Sequence, residues 1–212
     1  MIIILTSLFC QELDNIYGRK KLNCDQFLLI RKEKQNGRFN IDGHIYYFKD
    51  GEHHRLDGPA IESINGNKYW YKNGKLHRED GPACDFTNGT KVWYKDDKRH
   101  RDDGPACEFA NGDKCWYKDD KLHRLDGPAM DYMNGNKHWY KEGKPHRLDG
   151  PAKKNSDGSK MWYKEGKLHR LDGPAVEYYN GQVDFFIEGK EYSEEEWKKL
   201  SFIILNNLEV FL

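Results

Sequence analysis

A heptapeptide, His-Arg-x-Asp-Gly-Pro-Ala, recurs along this chain at one fixed spacing, and such a beat restricts the possible folds more than any composition does. It begins at His54, His77, His100, His123, His146 and His169, every interval being 23 residues with no insertion. Asp42-Gly43, Tyr47, Phe48 and Gly51 carry the register upstream. Asn180-Gly181, Phe185, Phe186 and Gly189 carry it downstream, where Tyr192 stands in place of a further His. Six heptapeptides thus join seven copies of an aromatic segment. The chain divides into an N-terminal cap segment (1–36), the repeat array (37–192) and a C-terminal capping helix (193–212).

Each copy holds two turn signals and no stretch long enough for a helix. Asn-Gly at 65–66, 88–89, 111–112, 134–135 and 180–181, with Asp157-Gly158 in the equivalent place, separates two short runs. Asn-Gly suits a two-residue type I′ hairpin, whose central residues both need φ > 0. A second turn pair closes the second run, as at Asn73-Gly74, Asp96-Asp97 and Glu142-Gly143. The pattern predicts an all-β fold, an elongated antiparallel meander of 23-residue β-hairpin repeats. Pro gives no N–H to a ladder and Gly tolerates a bend, so each Asp-Gly-Pro reads as a bulge or corner, with the Asp accepting from nearby backbone N–H groups and the preceding Arg a partner for the Asp or for the next repeat's carbonyls.

A two-residue turn at Asn65-Gly66 pairs 61 with 70 and 60 with 71. One face then carries Ile61, Ser63, Lys68 and Trp70 and is the expected core side. The other carries Glu62, Tyr69 and Tyr71 and is the expected wet side, with an acidic row (Glu62, Asp85, Glu108, Asp131) beside a tyrosine row (Tyr71, Tyr94, Tyr117, Tyr140, Tyr163). With the tryptophans in the core, Trp116→Ala is predicted to cost more stability than Trp197→Ala.

Hydrophobic residues are 37% and charged residues 33%, a lean mixture for a globular domain, yet aromatics reach 14% and supply core area. Lys plus Arg and Asp plus Glu are 35 each, which argues against a basic nucleic-acid binder. No apolar run approaches the ~20 residues that span a bilayer. Five cysteines without CxxC spacing indicate neither a disulfide framework nor a zinc finger, and point to a reducing, intracellular setting. The apolar start, Met1 to Cys10, lacks a basic n-region and reads as a packed end segment, with a short helix over 2–17. Phe27 to Ile30 reads as strand or helix. Ser193-Glu-Glu-Glu196 is a capping box, and Trp197, Leu200, Ile204 and Leu208 follow at helical spacing, predicting a helix from about 194 to 207.

Six regularly spaced histidines invite a metal hypothesis. Equivalent residues two strands apart lie ~10 Å from each other, too far to share an ion, so the expected role is structural and no metal or cofactor is expected. Cys84 and Cys107 occupy a slot filled by Ile61, Met130 and Val176 in other copies, so they read as small hydrophobes and not as nucleophiles. No catalytic residues are expected. In the fifth copy Lys153-Lys154-Asn155 replaces the apolar-acid-aromatic trio, a locally basic spot that marks Lys153 and Lys154 as a possible anion contact.

The pattern in Trp162-Tyr-Lys-Glu-Gly-Lys-Leu-His169-Arg-Leu-Asp-Gly173 resembles the MORN repeat and its short variant, and His-Arg-x-Asp-Gly-Pro-Ala is similar to arrays in giant DNA viruses of the mimivirus kind and in some phages. It departs from the standard pattern where Arg-x-Asp-Gly-Pro-Ala replaces the Gly-x-Gly after the His. The resemblance implies a hairpin repeat used for protein–protein contact, sometimes near membranes, with no catalytic residues. The expected function is a non-catalytic scaffold, a viral protein of host cytoplasm or virion, meeting a protein partner through Tyr71, Tyr94, Tyr117, Tyr140 and Tyr163 beside Glu62, Asp85, Glu108 and Asp131. The alternatives are an adaptor on anionic or phosphoinositide lipid, and a protein sequestering a small ligand at an array end. A monomer or an end-to-end homodimer is expected, with no nucleic acid bound and no membrane span.

Overall fold

Two turns in every 23 residues leave strands only a few residues long, so stability must come from stacking copy on copy. A computed structural model describes residues 21–209, with side chains over 26–206. The expected helix over 2–17 lies outside those residues. Helix α1 (Lys21–Lys32) comes first and contains Phe27 to Ile30. The array follows, and helix α2 (Glu194–Glu209) closes it. No described helix is long and apolar enough to cross a membrane.

The array is all β. Sixteen strands form one antiparallel sheet, fifteen of them in a single path from Gly37–Ile41 to Lys190–Tyr192, with Glu52–His53 pairing off the path. Two strands per copy contribute to it, for example Ile61–Glu62 and Lys68–Tyr69. The chain then crosses a corner at Trp70 and makes a second, separate two-stranded hairpin, Tyr71–Lys72 with Lys75–Leu76. Four more such hairpins repeat along the array. Backbone bonds tie them to the next copy, as in Asp97 N–H to the Leu76 carbonyl at 2.9 Å and Asp120 N–H to the Arg99 carbonyl at 3.0 Å.

The turn chemistry is the reverse of the expectation. Asn65-Gly66 is not a two-residue turn. Ser63 N–H bonds the Asn67 carbonyl and Gly66 N–H bonds the Ser63 carbonyl, and only Gly66 has positive φ, at 85°. This is a three-residue loop, a type I turn closed by a bulge glycine. The second turns carry consecutive left-handed residues, such as Asp96 and Asp97 at φ 50° and 66°, or Glu142 and Gly143 at 49° and 79°, and these are the type I′ turns.

One extra loop residue slips the register by one, and a slip of one exchanges the faces. Ile61 pairs with Tyr69, not Trp70, and Glu62 pairs with Lys68. Ile61, Tyr69, Cys84, Val92, Cys107 and Cys115 therefore share the buried face. Tyr71, Tyr94 and Tyr117 pack with them. The expected wet face is thereby corrected: the tyrosine row lies inward, the acidic row outward. The tryptophan column is corrected as well, since Trp70, Trp93, Trp116, Trp139 and Trp162 sit half-buried at the corners.

Both ends are covered. Ser193 N–H and Oγ–H bond Glu196 Oε2 at 3.0 and 2.8 Å, and Glu196 N–H returns to Ser193 Oγ at 3.4 Å, which is the capping box read from sequence. Trp197 is buried against Phe185 at 4.9 Å between ring centres, and its Nε1–H bonds the Arg170 carbonyl at 2.9 Å. At the other end α1 lies across the turn at Asp50-Gly51. A side chain at Gly51, φ 76°, would meet the Arg31 backbone at 3.0 Å, so only glycine fits.

Beside α1, His53 is 5% exposed among Phe27, Tyr46, Phe48 and Tyr71, with Nδ1 unpartnered. Burial, helped by Arg31, lowers its pKa from 6.5 to about 4. The unfolded chain then binds the extra proton between those values. The native state is unpenalised above about pH 6.5 and loses stability as pH falls toward 4, by up to ~3 kcal/mol. His53→Leu, which copies Leu76, Leu122 and Leu168, is expected to flatten that slope in urea melts taken at pH 7 and pH 4.

Candidate functional site

The heptapeptide builds the same corner in every copy. Each Arg lays its guanidinium on the aromatic ring eight residues earlier, 3.9–4.1 Å from the ring centre, from Arg55 on Tyr47 to Arg170 on Trp162. Its Nε–H donates to the Asp two residues on at 2.8–2.9 Å. In all copies but the fifth, Nη1 also donates to the Pro carbonyl four residues on, at 3.2–3.4 Å. The Arg holds the carboxyls of Asp57, Asp80, Asp103, Asp126 and Asp149 below the usual carboxylate range, by hydrogen bond first and by charge second. The expected Arg–Asp partnership is present, and the ring stack completes it. The Ala that ends each heptapeptide is fully buried, so no larger side chain fits there.

The histidines are latches between copies. Nδ1 of His54, His77, His100, His123, His146 and His169 accepts the backbone N–H of the first left-handed residue in the next copy's turn, at 3.1–3.4 Å. The side-chain oxygen of that residue lies 2.8–3.1 Å from the same nitrogen. A ring with Nδ1 bare accepts the first contact, and a ring with a proton on Nδ1 donates the second. Among the described residues no group of three or more His, Cys, Asp or Glu side chains is placed to hold a metal. Cys84, Cys107 and Cys115 are free and buried, and burial pushes the thiols of Cys107 and Cys115 up to about 12, far from thiolate chemistry.

A second latch lies at the loop tips. The polar residue after each loop glycine accepts the N–H of the next copy's tip: Asn67 from Thr87, Thr90 from Ala110, Asp113 from Met133, Asn136 from Ser156 and Ser159 from Tyr179, at 2.7–3.1 Å. Sequence reasoning missed these residues. Their signal was a hydrogen-bonding side chain at the same place in five copies.

The expected partner-binding residues separate. Tyr117 is 8% exposed, and Tyr71, Tyr94, Tyr140 and Tyr163 are half-buried. Burial raises the pKa of Tyr94, Tyr117, Tyr140 and Tyr163, so their hydroxyls stay protonated. Glu62, Asp85, Glu108 and Asp131 lie on the opposite face, each directly across from a lysine: Lys68, Lys91, Lys114 and Lys137. Each of those lysines also faces the next copy's acid or its replacement, so charge alternates from strand to strand. Glu62, Glu108 and Glu177 further accept from Nη1 of Arg55, Arg101 and Arg170 at 2.9–3.2 Å.

Lys153 and Lys154 separate too. Lys153 points to the inner side, half-buried opposite His138 and Met161 and 5.2 Å from the Tyr163 ring centre, and burial lowers its pKa. Lys154 is exposed on the outer side. They do not form one anion contact.

One exposed position of the heptapeptide differs between copies. The x position of the heptapeptide is Leu56, Glu79, Asp102, Leu125, Leu148 and Leu171. Leu125 and Leu148, on successive corners, are 78% and 80% exposed. Leu125 rims a cleft of about 500 Å³ between the third and fourth corners, lined also by Arg101, Trp116, His123 and Arg124. Compared with known proteins, the chain matches no family model and no curated protein.

Proposed function

We propose that the chain is a non-catalytic repeat scaffold that binds a protein partner along the corner edge of its array. One observation carries this reading: the side chains that could do chemistry are engaged in structure, the six heptapeptide histidines latching copies together and the six arginines building the corners, while large leucines stand exposed on the corners. Exposed apolar side chains rimmed by charge are the usual anchors of protein interfaces. Leu125, Leu148 and the cleft beside Leu125 take the part first given to the tyrosine row. The resemblance to short MORN arrays supports a scaffold role and, with it, a viral setting; the buried free thiols support an intracellular one.

Leu125→Asp with Leu148→Asp changes two exposed side chains and is expected to leave the melting temperature within about 2 °C. Quantitative affinity capture from the native cells, followed by mass spectrometry, reads the result. A set of proteins retained by the parent and lost with the double substitution supports the reading. Equal capture by both proteins contradicts it.

A further inference from the structure

The strand-to-strand alternation of charge on the outer face fails once, in the fifth copy. Lys154 stands where the other copies have an acid, directly across from Lys137 on one side and Lys160 on the other. Like charges in direct cross-strand register are destabilising. Lys137 lies 3.9 Å from Asp131 and Lys160 3.3 Å from Glu177, but among the described residues Lys154 has no acid within 4 Å, its charge reaching Asp149 only at longer range.

Arg147, in the same copy, departs from its equivalents: Nη1 of Arg78 and of Arg124 keeps the proline carbonyl without meeting the acid seven residues on, whereas Nη1 of Arg147 has neither. In the first, third and sixth copies Nη1 of the corner arginine meets both a proline carbonyl and the glutamate seven residues on. Seven residues on from Arg147 is Lys154. The Arg147 guanidinium turns both Nε and Nη2 onto Asp149, at 2.8 and 3.3 Å, and Nη1 is left buried without a partner. An unsatisfied buried N–H on a cation costs at least ~1–3 kcal/mol. Lys154 meanwhile lies 5.8 Å from the centre of the Trp139 ring on which Arg147 already stacks at 4.1 Å. Two cations share one ring, and the carboxylate that closes this corner in three other copies is missing.

We propose that this patch receives a carboxylate from an acidic peptide segment of a partner protein, seated at exposed Lys154 beside the Arg147 guanidinium, at the position that Glu62, Glu108 and Glu177 fill in their own copies. The proposal rests on the protein-binding reading and names the chemistry of one contact. Arg is the residue suited to such a carboxylate. Three lysines on neighbouring strands ~4.8 Å apart make a line ~10 Å long. Two alternate side chains of an extended acidic strand, ~7 Å apart, fall within that line. Lys137, Lys154 and Lys160 all stand on strands, not at a helix N-terminus of the kind that cradles phosphate, which favours carboxylate.

Calorimetric titration of the full chain with hexaglutamate at low ionic strength tests this, with inorganic phosphate and phosphoinositide-containing vesicles as separate arms. Hexaglutamate is expected to bind the parent, and Lys154→Glu to weaken it by about tenfold or more. Lys154→Glu restores the glutamate of the sixth copy, so it is expected to melt no lower than the parent, which separates lost binding from lost fold. Lys95→Glu, the same charge change on an exposed lysine of the second copy, is expected to stay within about twofold. Three results overturn the proposal: no binding of hexaglutamate to the parent, equal weakening by both substitutions, or phosphate or vesicles binding through Lys154 while the peptide does not. None of the three touches the corner leucines, whose own test stands apart.

Discussion

Tyr117→Ala is expected to destabilise the protein by ~3–5 kcal/mol, and Trp116→Ala, its neighbour, by only about 2. Tyr117 is 8% exposed, points inward and packs with Cys107 and Cys115, and its ring carries the Arg99 guanidinium at 4.0 Å. Arg99 is in turn held by Asp120 at 2.7 Å. Removing the ring leaves a cavity and uncovers that pair. Trp116 is half-buried at the corner under Arg124, where water can refill the space. Urea titrations of the two variants read the difference. A larger loss for Trp116→Ala would restore the register of a two-residue turn and reverse the faces.

Trp197→Ala carries the second large effect, ~3–5 kcal/mol, or roughly 10 °C in melting temperature for a chain of this size. Trp197 pins α2 to the last strands through Phe185 and the Arg170 carbonyl. Without it the helix no longer covers the terminal strand Lys190–Tyr192, and an uncovered edge invites pairing with another chain. Calorimetry should therefore show the lower transition, and light scattering a concentration-dependent rise in mass. An unchanged melting temperature would mean that α2 does not brace the array. The expected order, Trp197→Ala costing more than Trp116→Ala, is the opposite of what the sequence predicts with its tryptophan column in the core.

The error has a single source. The interval of 23, the two turns per copy, the corner and the capping box are all visible as residue types at fixed places. Asn-Gly is consistent both with a type I′ turn and with a type I turn closed by a bulge glycine, because both need glycine in the left-handed region. The two readings differ by one residue, and one residue decides which of Trp116 and Tyr117 is inside. Charge would have settled it. With a three-residue loop Glu62 faces Lys68 and Glu108 faces Lys114. With a two-residue turn those acids face Tyr69 and Cys115.

The candidate site shows the same limit. The Arg–Asp pair two residues apart is a local contact and legible. The latch from His77 to Asp96 spans nineteen residues and depends on how copies stack, which the interval alone does not specify. Lys154 was legible as an anomaly, but its meaning appears only beside the unpartnered Nη1 of Arg147 and the lysines on the two adjoining strands. Lys153, its neighbour in sequence, lies on the other face for the alternation that governs every strand.

A nuclear Overhauser spectrum of the labelled protein reads the stacked hairpins and their register without any substitution. Opposed residues in non-hydrogen-bonded antiparallel pairs bring their Hα atoms closest. Hα–Hα contacts are expected between Glu108 and Lys114 within a copy and between Cys115 and Met130 across copies. Contacts between Glu108 and Cys115 instead, or the medium-range amide pattern of helices within the repeats, would contradict the fold on which every assignment of faces, latches and the Lys154 patch depends.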